Sequence, residues 1–173
     1  DRYENLRDIG GQPVKAAPHV DIAPVFKWSN GGYALPNGSG GWLTTDPYAH
    51  HDWIAERNTD LSYRLKPLVR MLKRWNSAHS RYLKGFHLEV VTATVFSSLG
   101  SDSRDACEKF FEWAQTNLTV VDPAGHGGDL SSYLTAAART ALLLNLESAR
   151  GRAARANAAE AVEIIRQLFD YGE

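Results

Sequence analysis

The sequence predicts an α+β fold that is mostly α. Three observations carry this. Residues 13–26 are strand-like, residues 29–41 are dense in turn residues, and from about Asp60 the apolar period becomes helical and stays so. The expected order is a short piece of sheet, a long loop and a helical bundle. So few strands do not make a sheet alone. They are either an appendage of the helices or the end of a sheet whose other strands lie outside these 173 residues.

The strand region contains HVDIAPVF at 19–26. Alternation puts His19, Asp21 and Ala23 on one face and Val20 and Ile22 on the other, while Pro18 and Pro24 mark an edge or a strand end. A carboxylate inside an apolar strand is costly unless it is paired, hydrogen-bonded or metal-bound. Two readings of Asp21 stand level: an edge position facing water, or a ligand for a hard divalent cation.

SNGGYALPNGSGG and then GWLTTDPYAHHDW read as a loop, with Asp46-Pro47 a turn or the start of a helix. The glycines match neither G-x-G-x-x-G nor G-x-x-x-x-G-K-[ST]. Leu61, Leu65, Leu68, Leu72 and Trp75 then form one apolar helical stripe, which Pro67 should kink or restart. Lys66, Arg70 and Lys73 form a second, basic stripe on another face. That stripe is either a solvated face or a clamp on a triphosphate. A helix over about 80–98 is apolar nearly all round and so should be central. Ser101 or Asp102 caps a third helix reaching Leu118, VVDPAGHGGD forms a loop, Asp129 or Ser131 caps a long helix over about 130–157, and a last helix covers about 158–169.

Composition bounds the chemistry. With 43% hydrophobic residues, 23% charged residues and a net charge of −1, the chain is ordinary globular protein, and any anion site must be a local patch. The single Cys107 excludes a disulfide framework and fits a reducing compartment. No apolar run approaches the roughly 18 residues of a membrane span. Six histidines without H-E-x-x-H make a zinc site unexpected, and His87 reads as a core histidine. No G-x-S-x-G anchors a serine hydrolase.

The motif order is recognisable: HVDIAPVF, GGYALPNGSGGWLTTDP, LKPLVRMLKRWN, LKGFHLE, VVDPAGHGGDLSSYL and IIRQLFDYG. Over about residues 14–171 it resembles the CD-NTase (cGAS/DncV-like, SMODS-type nucleotidyltransferase) family of bacterial anti-phage signalling. The resemblance implies the C-terminal helical lobe of a polymerase-β-like nucleotidyltransferase with one or two residual core strands. Residues 1–28 would end the core sheet, 29–59 would be a loop-rich connection, and 60–173 a helical substrate-binding lobe. It also implies that nucleoside triphosphates are joined into a cyclic oligonucleotide messenger (CBASS-type) with Mg²⁺ or Mn²⁺. A linear or RNA-directed product, or a non-catalytic nucleotide- or RNA-binding remnant, are the alternatives. Asp21 matches the third metal-binding, catalytic aspartate. Lys73, with Arg70 on its stripe, would neutralise the donor triphosphate, and Phe86 would stack on a base. Gly85 replaces a phosphate-contacting serine, leaving its backbone N–H. A bacterial cytoplasmic location, no membrane and a possible activator protein complete the implications.

Such enzymes hold their metals with two further carboxylates at positions i and i+2 of one strand, because strand geometry aims both at one face. No two acidic residues here are separated by two, and Gly38-Ser39 follows Asp21 where the family's Gly-Ser motif precedes it. The expectation is therefore a missing upstream half, with these 173 residues inactive alone.

Overall fold

A computed structural model describes residues 24–29, 31–37 and 40–155. Strands β1 (Phe26–Lys27), β2 (Tyr33–Pro36) and β3 (Trp42–Thr45) form an antiparallel sheet in chain order. Phe26 pairs with Ala34, and Leu35 with Leu43. Five helices follow: α1 (Pro47–Asp60), α2 (Leu65–Ala78), α3 (Gly85–Val95), α4 (Ser103–Ala114) and α5 (Ala136–Arg155). The fold is α+β and mostly α, as expected.

The stretch 29–59, expected to be loop-rich, instead carries the β2–β3 hairpin and the 14-residue α1. Asp46-Pro47 is a helix start: the Asp46 carboxylate accepts the N–H groups of Tyr48 (3.1 Å) and Ala49 (3.0 Å), and Pro47 takes the first helical position. The helix escapes a pattern reading because only Trp53 and Ile54 pack against the core, too few for an apolar stripe.

Pro67 restarts the helix. It sits in the first turn of α2, where its missing N–H costs nothing. Residues 61–64 turn the chain between α1 and α2, with Ser62 and Tyr63 at φ of 53° and 62°. Asn58 of α1 reaches across this turn to accept the Lys66 N–H at 3.0 Å, capping α2 from outside it. Leu61 therefore lies beyond α1 rather than within α2, yet is buried with Leu65, Leu68, Leu72 and Trp75.

The apolar helix α3 is central as expected, buried at His87, Leu88, Val90, Val91, Thr92 and Ala93. Both its ends are held. Buried Asn76 donates to the Leu83 carbonyl (2.7 Å) and accepts the Leu83 N–H (3.1 Å), fixing the chain just before α3. At the far end the Arg57 guanidinium donates to the carbonyls of Ala93 (3.1 and 3.3 Å) and Phe96 (2.7 Å).

Asp102, not Ser101, caps α4, which ends at Ala114 instead of Leu118. The Thr116 hydroxyl and the Asn117 amide both take the Trp113 carbonyl, competing with a further turn. The long helix α5 starts at Ala136, later than expected. Asp129 instead accepts the Ser131 N–H and hydroxyl in a turn, and Thr135 accepts the Ala138 N–H. The last expected helix, 158–169, lies outside the described residues.

Candidate functional site

Three helices, with Thr45 of β3, line an open cavity of about 700 Å³. From α1 it takes Pro47, His50, His51 and Ile54; from α2 Lys66, Val69, Arg70 and Lys73; from α3 Phe86 and Glu89. Each set repeats at three- and four-residue steps, so each helix gives one face to the cavity. The basic stripe is thus a cavity wall. Apolar Ile54, Val69 and Phe86 line the same space, so one cavity offers both cationic and aromatic surface.

Lys73 carries an ion pair with Glu89 across the α2–α3 contact. Gly85 opens α3 beside it: a Cβ there would lie 3.8 Å from both Cε and Nζ of Lys73. No side chain caps this end of α3. The first-turn N–H groups add their partial positive charge next to the lysine.

Phe86 leans against His50, with ring centroids 4.2 Å apart and a tilt of 36°. The His50 Nε2–H donates to Asp122 Oδ1 at 2.7 Å. Asp122 is itself buried and accepts the N–H groups of Ala124 (3.0 Å), His126 (3.2 Å) and Gly127 (2.6 Å). Burial alone would raise its carboxyl. The N–H bonds from Ala124 and Gly127 and the His50 ring outweigh that and hold it below the ordinary carboxylate range.

Behind the wall, His87 faces the core. Its Nε2–H donates to the Leu118 carbonyl (2.7 Å), and its Nδ1 accepts the Tyr133 hydroxyl (2.9 Å). That hydroxyl accepts the Lys84 N–H at 2.7 Å, and the Lys84 ammonium lies 4.4 Å over the Tyr133 ring. The relay fixes the backbone immediately before Gly85 and Phe86.

Of the sequence candidates, Arg70, Lys73 and Phe86 share the cavity, with Gly85 against Lys73. Asp21 lies outside the described residues, and among those described no group of three His, Cys, Asp or Glu could hold a metal ion. Sequence reasoning missed His50, Asp122 and Glu89 as parts of this site. Glu89 had a signal, three residues after Phe86 and so on its face; His50 and Asp122 are 72 residues apart and had none.

No family model matches the sequence. A probable cyclic nucleotide synthase of Bacillus cereus (strain VD146) is 28% identical over 121 residues, 65% of this chain. The cyclic AMP-AMP-AMP synthase of an Acinetobacter species is 37% identical over 78 residues, 43% of the chain. The chain is similar to these cyclic nucleotide synthases over part of its length. It spans 37% and 23% of the lengths of these two relatives. The Vibrio cholerae di-nucleotide cyclase DncV has the same fold over 81% of this chain and 40% of its own, with a TM-score of 0.66 at 21% identity; that structure holds GTP and 5MTHFGLU2. A second DncV structure, with the linear intermediate 5′ pppA(3′,5′)pG, matches at TM-score 0.66 and 19% identity over 83% of this chain and 42% of its own. Among the described residues, no helix is long and apolar enough to cross a membrane.

Proposed function

We propose that the chain supplies the nucleotide-binding helical lobe of an enzyme that joins nucleoside triphosphates into a cyclic oligonucleotide. The observation that carries this is the cavity itself: Lys66, Arg70 and Lys73 of α2 meet Phe86 of α3 there. The lysines act as point charges and Arg70 as a planar fork on the polyphosphate. Gly85 places no side chain against Lys73, whose ammonium is paired with Glu89, and offers its N–H at the helix start. Phe86 stacks on the base, an interaction that tolerates different bases because each has a π-face. The similarity to cyclic nucleotide synthases and the nucleotides held by the DncV neighbours support the same ligand class.

Asp21 is assigned one carboxylate ligand of Mg²⁺ or Mn²⁺, which when bound neutralises phosphate charge and activates the attacking hydroxyl. Because no acidic pair at i and i+2 exists in the sequence, the other two carboxylates come from polypeptide beyond these 173 residues.

ATP titration of the chain tests the cavity. A charge-assisted hydrogen bond is worth about 1.5–3 kcal/mol, so Lys73→Ala should weaken ATP binding by roughly tenfold or more. Unchanged affinity in both Lys73→Ala and Arg70→Ala would remove the basis of the assignment. In the complete enzyme, Asp21→Ala should abolish product while leaving the fold intact, and mass analysis of wild-type product should find a ring.

A further inference from the structure

We infer that His50 is a positioning residue that sets the orientation of Phe86 and so tunes base stacking. This rests on the proposed nucleotide role of the cavity. A phenylalanine on a cavity wall has several staggered rotamers open to it, and fixing one costs binding energy if the ligand must do it. Here the protein has fixed it in advance. The His50 ring covers one face of Phe86 at 4.2 Å. The ring cannot turn freely, because its Nε2–H is held by Asp122 at 2.7 Å. Asp122 in turn is tied by three N–H groups of its own loop. The loop packs so closely on that carboxylate that a Cβ on Gly127 would come within 2.9 Å of Oδ2. A continuous series of contacts therefore runs from loop 122–127 through Asp122 and His50 to Phe86, linking segments far apart in the chain.

The test separates base from phosphate. ATP and inorganic tripolyphosphate are titrated into the wild-type chain and into His50→Ala, His50→Gln and Phe86→Ala, with thermal unfolding of each as a check on the fold. An aromatic pair is worth about 0.5–1.5 kcal/mol, so His50→Ala should weaken ATP binding roughly two- to tenfold and leave tripolyphosphate binding unchanged. His50→Gln keeps a donor for Asp122 but no ring, and should lose ATP affinity in the same way. ATP affinity retained in both His50 variants while Phe86→Ala loses it overturns the positioning role. So does an equal loss of both ligands, which would mean a general change of the cavity. Phe86→Ala with wild-type ATP affinity is a separate failure, of the nucleotide reading itself.

Discussion

The sheet and the helical body treat the same residue types in opposite ways. In the sheet, Phe26, Trp42 and Leu43 are 64%, 54% and 52% exposed, and Ala34 is the one sheet residue in the buried core. In the body, Trp75, Phe110 and Phe111 are at most 1% exposed and meet ring to ring, Trp75 on Phe111 at 4.9 Å. Stabilisation follows apolar area removed from water, so the helices carry the folding energy while the sheet is held by pairing and by its turns. Phe26 and Trp42 do touch, edge to face at 5.3 Å, but with both rings largely in water. The cavity lies mainly among the helices, with its charged side chains on α2 and α3.

The largest test of this contrast compares two tryptophans. Trp75→Ala should destabilise by about 3–5 kcal/mol in urea unfolding, and Trp42→Ala by no more than about 0.5 kcal/mol. Similar losses would erase the distinction between the regions. Two asparagines that each bridge a loop sharpen it. Asn76→Ala strands the N–H and carbonyl of buried Leu83 and should cost about 2–4 kcal/mol. Asn37 accepts the exposed Gly41 N–H in the β2–β3 loop, and its loss should cost less than about 1 kcal/mol, because water can replace it. A hairpin variant as damaging as Asn76→Ala would show that the sheet is tied to the body more tightly than its exposure implies.

What the sequence made legible was what repeats locally. The Leu65–Trp75 stripe and the Lys66, Arg70, Lys73 stripe each declared a helix face, and both faces are used. The basic stripe alone could not say whether it met water or a ligand; that depended on α1 and α3 closing over it. α1 stayed hidden because a helix with two core contacts leaves no apolar period. The start of α5 was misplaced because Asp129, a good cap, is used by Ser131, and Thr135 takes the role. The His50–Asp122 bond joins residues with no shared local pattern, so only the fold brings them together.

The last predicted effect concerns acid, and it belongs to the body alone. Burial lowers the His87 pKa; the Leu118 carbonyl and Asp129 pull it up and Arg139 pushes it down, with the net result below the ordinary 6.5. The neutral ring is the form that fits, since Nδ1 accepts from Tyr133, whose oxygen already accepts the Lys84 N–H. In the unfolded chain the ring takes a proton near pH 6.5, whereas the folded chain resists it. Above 6.5 both states are neutral at this site and it adds no pH dependence. As pH falls from 6.5 toward the lower folded value, the unfolded state binds the proton first and stability declines, by at most about 1.4 kcal/mol per pH unit. Urea unfolding between about pH 7 and pH 5 should therefore show a steeper decline in the wild type than in His87→Gln. The slope is the readout, since the variant also shifts the absolute level. Parallel slopes would mean that His87 takes up its proton equally in both states and that the Leu118–His87–Tyr133–Lys84 relay does not hold the ring neutral.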